Sequence, residues 1–357
     1  MKTPASPSAD QGKGAVLFED GATILHERVA VRLLQYPSGI SVLERTLEQD
    51  DGMRLVLVYA LDSAGELHDF ATADPYYETL EVAYEAIQAR HPVAPSEGGK
   101  RASSDGESGR LIDAVGDIAQ CRDEGELTER VRKITRAMGA DQWTYEWISS
   151  NDRAGAVEHR YLIGCAPGWM QRYLRDKRFM ADPFVEYARR NVTPVTGSMI
   201  GLADGAPRLA ADARRYGVNS QMVAPVHAPA SEVIGLLRVS DRRDPQQGGE
   251  TLLWSNQVLF GALANRLLGW QWTTVRRIAV DTFELDPSEL DVLRVLCAGG
   301  YAHNVAEMLR TSVRQVHRVV YPRICGKMSV SRIDDARKLA ITYGLIELRQ
   351  GDGDFSR

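Results

Sequence analysis

The sequence predicts an α+β chain of several domains, and three observations carry that expectation. Residues 14–90 hold apolar, β-rich runs, residues from 111 onward interleave helical and strand patterns, and the C-terminal stretch is helical throughout. A polar stretch of small residues, PVAPSEGGKRASSDGESGR at 92–110, divides the first region from the second and reads as a flexible linker. A length of 357 residues suits about two or three such units.

The bulk numbers narrow the function. Hydrophobic residues make up 44% and charged residues 25%, ordinary for a globular chain. The formal net charge of −5 excludes a globally basic binder, so any nucleic-acid surface must be local. Four cysteines, Cys121, Cys165, Cys297 and Cys325, are scattered without a CxxC pair, which argues against a zinc site or disulfide framework. The segment MKTPASPSADQGKG lacks the apolar core of a signal peptide. No apolar run approaches the ~18 residues of a membrane span. The expected location is the cytoplasm, with no membrane partner. No nucleophile–base pair, metal spacing or phosphate loop stands out, so the expectation is not an enzyme.

Residues 14–91 carry VAVRLLQY, ISVLERTL and MRLVLVYAL, separated by the turn-like PSG and DDG and followed by DSAG. DPYYETLEVAYEAIQARH then has a helical pattern. This predicts a small α+β domain that folds on its own, its role open.

The second region, 111–275, begins with two helical faces: Leu111, Val115 and Ile118, then Leu127, Val131, Ile134 and Met138. WTYEWIS reads as a strand, Gly168 to Met180 as a helix, and MVAPVHA and VIGLLRVSD as further strands. A long helix is expected from about Glu250 to Thr273. Leu252, Leu259, Leu263, Leu267 and Trp270 form one apolar stripe; Leu253, Phe260, Ala264, Leu268 and Trp272 form another. Either the helix is buried on most sides, or it packs on the sheet and also on a partner subunit in a homodimer.

The third region, 282–348, is all helical. Asp286-Pro287-Ser288-Glu289 is a helix start, and Gly299-Gly300 ends that helix. Val305, Met308 and Leu309 mark a second helix, Ser312 to Gln315 opens a third, and Ile333 to Tyr343 is a fourth, closed by Gly344. From Arg310 to Lys338 eight basic residues face two acids, Asp334 and Asp335. With Val316, Val319 and Val320 inward, Arg314, Gln315, His317 and Arg318 point outward. Arg and Gln are the side chains that read guanine and adenine edges bidentately, and a second helix carrying them is a helix-turn-helix arrangement for double-stranded DNA. Arg323 and Lys327 are expected on phosphates. Charge alone leaves open a solvated basic helix on a small bundle.

The order of these elements resembles the LuxR-type quorum-sensing transcription regulators. LDPSELDVLRVLCAGGYAHNVAEMLRTSVRQVHRVV and GKMSVSRIDDARKLAITYGLI are similar to that family's DNA-binding domain, with Glu289, Leu293 and Gly299 on its signature positions. Residues from 111 to 275 resemble its autoinducer-binding domain, an α-β-α sandwich, through the W-x3-Y-x8-D-P spacing of Trp169, Tyr173, Asp182 and Pro183. The first 110 residues lie outside the resemblance. It implies an N-acyl homoserine lactone or a divergent analogue as the small-molecule signal, with no other cofactor. Trp169 would donate to the lactone carbonyl, Asp182 would accept from the amide N–H, and Tyr173 would line the pocket. Read from the residues alone, Trp169 and Tyr173 are core aromatics and Asp182 is a helix cap.

The departures bear on the signal. Cys165 stands where the family has a Tyr, Gly197 where it has a second Trp, Gln221 for a Gly, and Leu237 for a Ser or Thr on the last strand. Polar partners are lost and space is gained, so a standard lactone would leave polar atoms unpaired. The expected ligand is bulkier or more apolar, or the fold works without one. The third helix holds Pro322 and one residue more than the family pattern, which predicts a helix from Val313 to about Tyr321 that then kinks or ends. The sequence thus points to a sequence-specific DNA-binding regulator with a divergent pocket. The alternative is an interaction protein without DNA binding that sequesters related regulators as heterodimers.

Overall fold

A computed structural model describes residues 15–24, 27–49, 52–60, 107–151, 156–228 and 233–346. By packing, the chain divides into two compact units, with the division in the long helix falling between Leu267 and Leu268. The helix expected over DPYYETLEVAYEAIQARH and most of the linker lie outside the described residues. Residues 107–110 of that linker belong to a helix.

The first unit is built on a nine-stranded sheet in the order β1-β2-β3-β4-β6-β5-β9-β8-β7. Strands β1 (Ala15–Ile24), β2 (Glu27–Gln35), β3 (Ser41–Glu48) and β4 (Arg54–Ala60) form an antiparallel meander. Helices α1 (Glu107–Gly116) and α2 (Glu124–Ala137) follow, then β5 (Gln142–Asn151) and β6 (Ala156–Gly164). Next come α3 (Pro167–Arg175), α4 (Pro183–Ala188) and the short β7 (Val195–Thr196). Helices α5 (Leu202–Gly205) and α6 (Pro207–Arg214) lead to β8 (Ser220–His227) and β9 (Ile234–Asp241).

The self-contained N-terminal domain expected from the sequence is not what these strands form. β4 pairs in parallel with β6, from Arg54↔Glu158 to Tyr59↔Ile163, so the meander continues the sheet of β5 to β9. Leu55, Val56, Leu57, Val58 and Tyr59 are all buried, the pattern of a central strand covered on both faces. The β2–β3 turn also docks on α2. Ser38 donates through its backbone N–H and its hydroxyl to Asp123, at 2.9 and 2.8 Å, and the same carboxylate caps α2 by accepting from Glu126 N–H. Beside it, Arg160 bridges Glu124 (2.8 Å) and Glu44 (3.2 Å), and Tyr36 donates to Glu124 at 2.9 Å. Burial and the Glu124 carboxylate push the Tyr36 hydroxyl well above its ordinary pKa, so it acts as a donor.

The expected long helix is two. Helix α7 (Gly249–Ser255) stops at Asn256, whose amide donates to Met138 C=O at 3.1 Å, and α8 (Gln257–Phe283) runs on past Thr273. Leu253, Phe260, Leu263, Ala264 and Leu267 are fully buried and Leu268 and Trp270 nearly so, while Leu252, Leu259 and Trp272 are half-buried. Most of both stripes is therefore covered within one chain.

In the second unit, α9 (Pro287–Cys297), α10 (Ala302–Met308) and α13 (Ile333–Thr342) pack with a composite helix. That helix consists of α11 (Val313–Gln315), a π-helical section Val316–Val320, and α12 (Tyr321–Lys327). Val292, Leu293, Val305, Val316, Ile324, Met328, Ala336 and Ala340 are its core. Gly344 closes α13 with φ +60°, and a Cβ there would meet the Trp272 indole at 2.1 Å, so only glycine fits.

Candidate functional site

The sequence brought Trp169 and Tyr173 together on one turn of α3, and the structure keeps them there, both buried, with rings 5.7 Å apart. Lys177 takes a left-handed conformation (φ +50°), turning the chain through a 3-10 segment, Arg178–Ala181, and delivering Asp182 to the start of α4. Asp182 Oδ1 accepts the Phe184 N–H at 2.8 Å as a helix cap. Its Oδ2 accepts the Tyr173 hydroxyl at 2.6 Å and the Arg238 guanidinium at 2.5 Å. Arg238 lies between two rings, 5.5 Å from the Tyr173 centroid and 5.2 Å from that of Phe184. Burial, and then the Asp182 carboxylate, raise the Tyr173 pKa well above its usual value, which keeps the hydroxyl a donor. For Arg238, burial works to lower the pKa, but Asp182, Tyr173 and Glu146 together outweigh it and hold the guanidinium charged.

A second buried polar group adjoins this one. Glu146 on β5 meets His159 Nδ1 and the Tyr161 hydroxyl, both at 2.7 Å and both from β6. His159 packs against Phe179 with centroids 5.4 Å apart.

Arg238 is the residue sequence reasoning missed. The register pairs Thr144 with Arg238, Glu146 with Leu236, and Tyr145 with Leu237. Residues opposite each other share a face and neighbours along a strand alternate, so Arg238 and Glu146 face α4 and Leu237 faces the other way. Leu237 is fully buried there, on the face opposite Asp182. The signal was present: an arginine inside the apolar run VIGLLRVSD can be buried only with a counter-charge.

The remaining expected ligand residues are elsewhere. Cys165 is half-buried in the turn from β6 to α3. Gly197 donates its N–H to Gln221 C=O at 2.9 Å, and the two line a cavity of about 250 Å³ with Leu202, Arg214, Asn219 and Glu250. Trp169, Tyr173 and Asp182 do not line it.

On the helical unit, Arg314, Gln315, His317 and Arg318 are all exposed. Among the described residues neither Arg314 nor Arg318 has an ion pair, and His317 stands edge-on to Tyr321 at 5.3 Å. Arg323 and Lys327 are otherwise engaged. Arg323 Nε and Lys327 Nζ each reach the fully buried Glu289 at 2.7 Å, and Lys327 also donates to Glu284 C=O at 2.8 Å. Both are partners of the carboxylate that closes the α9 capping box.

The helix does not end after Tyr321. The Tyr321 N–H bonds to Val316 C=O, a five-residue step, and the helix continues to Lys327. A π-turn takes one extra residue, and its wider ring separates the Pro322 pyrrolidine from the carbonyl it would strike in an α-helix. The same step turns Val319, expected inside, to 46% exposure, while Val316 stays buried.

Residues 123–268 match the model of the autoinducer binding domain. Among solved structures, Escherichia coli SdiA is similar at 15% identity over 67% of this chain and 99% of that one, with a TM-score of 0.50. SdiA in complex with octanoyl-rac-glycerol is similar at 16% identity over 70% of this chain and 100% of that one, with a TM-score of 0.51. No curated protein matches the chain. Residues 123–268 thus match an autoinducer binding domain, and the fold is similar to that of SdiA.

Proposed function

We propose that the protein is a sequence-specific DNA-binding transcriptional regulator of quorum-sensing type whose signal site departs from the usual one. The observation that carries the reading is the division of cations on the composite helix. Arg323 and Lys327 are tied to Glu289, while Arg314, Gln315, His317 and Arg318 remain outward on its N-terminal half. That half is where a helix-turn-helix protein places its base contacts. It is capped by Ser312, whose hydroxyl accepts the Gln315 N–H at 3.2 Å. The sequestering alternative drew on a kink at Pro322 and on the rebuilt pocket; of these, the helix runs on to Lys327.

Binding of purified protein to genomic fragments by gel shift tests the reading. Arg318→Ala is expected to lose about 1–3 kcal/mol of discrimination at one base position. Wild-type protein that binds no fragment above its non-specific level would remove the proposal.

A further inference from the structure

The Asp182 carboxylate has two oxygens, and the chain's own groups fill both. Oδ1 holds the Phe184 amide, and Oδ2 holds the Tyr173 hydroxyl and the Arg238 guanidinium. Three donors use most of a carboxylate's acceptor capacity of about four lone-pair sites. Arg238 is itself only 8% exposed, lies between the Tyr173 and Phe184 rings, and stands on the sheet face that looks toward α4. A small molecule that took its place on Asp182 would leave a buried guanidinium without its counter-charge.

We propose that Arg238 makes the ligand domain self-ligated. Its guanidinium supplies from within the chain the N–H donors that a signal would bring to Asp182, so the domain folds without a signal and excludes acyl homoserine lactones. This rests on residues 123–268 being a ligand domain and not on DNA binding, so a failed gel shift leaves it standing.

Thermal melts of the full chain test it, with octanoyl-homoserine lactone and methylguanidinium as probes. Wild type is expected to melt at the same temperature with and without saturating lactone. Arg238→Ala should melt several degrees lower and recover with methylguanidinium, which fits the vacated place between the rings, and also with lactone, whose amide can now reach Asp182. Arg238→Lys, which keeps the charge but not the planar fork, should melt between the two and respond to neither. A rise of the wild-type Tm with lactone would overturn self-ligation while strengthening the ligand-domain reading. An Arg238→Ala variant that melts like wild type, or one that responds to neither probe, would also overturn self-ligation. If that variant does not fold, the wild type still decides. Refolding from urea in lactone-free buffer should recover the original melt, and a requirement for lactone would overturn the proposal.

Discussion

Asp182 in the sheet unit and Glu289 in the helical unit are both buried carboxylates that draw cations from their own chain, at 1% and 0% exposure. Their partners differ. The Arg238 side chain is 10% exposed, whereas those of Arg323 and Lys327 are 50% and 30% exposed. With a buried cation, neither charge can return to water if the other is removed, and the pair behaves as one closed object. With half-exposed cations, the carboxylate anchors the base of a surface helix and withdraws two positive charges from whatever that surface meets. Burial of the cation, more than the ion pair, decides whether such a carboxylate seals an interior or edits a surface.

The sharpest way to break this comparison is to remove each carboxylate in turn. Asp182→Ala strands Arg238 and should lose about 3–5 kcal/mol in urea unfolding of the sheet unit. Glu289→Ala leaves Arg323 and Lys327 able to reach water, so its loss should be smaller, roughly 1–3 kcal/mol for the capping box and charged hydrogen bonds. Equal losses would show that cation exposure does not matter here. Glu289→Gln should also release the two cations, and the salt dependence of DNA binding should steepen. On the same surface, Arg314→Ala should lower the salt slope by about 1, while Arg323→Ala should leave it nearly unchanged. A matching drop for both would return Arg323 to the phosphates.

The smallest effect concerns Asp286, the cap of α9. The Ser288 hydroxyl and the Glu289 N–H both donate to it and hold its carboxyl below the usual range. A depressed folded pKa adds stability that is fully present above the unfolded value of about 3.9 and is lost as pH falls through the folded one. Asp286→Ala should lose about 1 kcal/mol at neutral pH, and the difference from wild type should shrink in acid. A pH-independent difference would assign the effect to helix propensity.

What could be read in advance follows a physical line. Apolar periodicity gave the strands around Val31, Leu43, Leu57, Met222 and Leu236, the stripes of α8, and the capped start of α9, because burial of apolar groups leaves its period in the sequence. The clustering of Trp169, Tyr173 and Asp182 was suggested by the family resemblance that their spacing carries. Strand β6 was not, since AVEHRYLIG carries Glu158, His159 and Arg160 where apolar residues are expected. His159 and Arg160 are covered only because Glu146, Glu124 and Glu44 meet them from distant parts of the chain. Arg238 was missed for the same reason. Buried charge is specified by a partner that no local window contains, and so is the pairing of β4 with β6. Pro322 misled in the other direction, because a local rule about α-helices was answered by a local change of helix type.

The parallel pairing of β4 with β6 also sets an order of events during synthesis. Arg54 and Glu158 stand 104 positions apart in the chain. At ribosomal speeds of about 5–20 residues per second, the completed meander waits roughly 5–20 s before its neighbour emerges. Through that interval β4 presents an open strand edge bearing LVLVY, the kind of surface that recruits other nascent chains. Charges already sit at the start of that edge: Arg54 opens the strand and lies 3.7 Å from Glu48 on β3. The expected outcome is that yield on expression falls when translation is slowed between residues 60 and 156, as measured by soluble protein recovered.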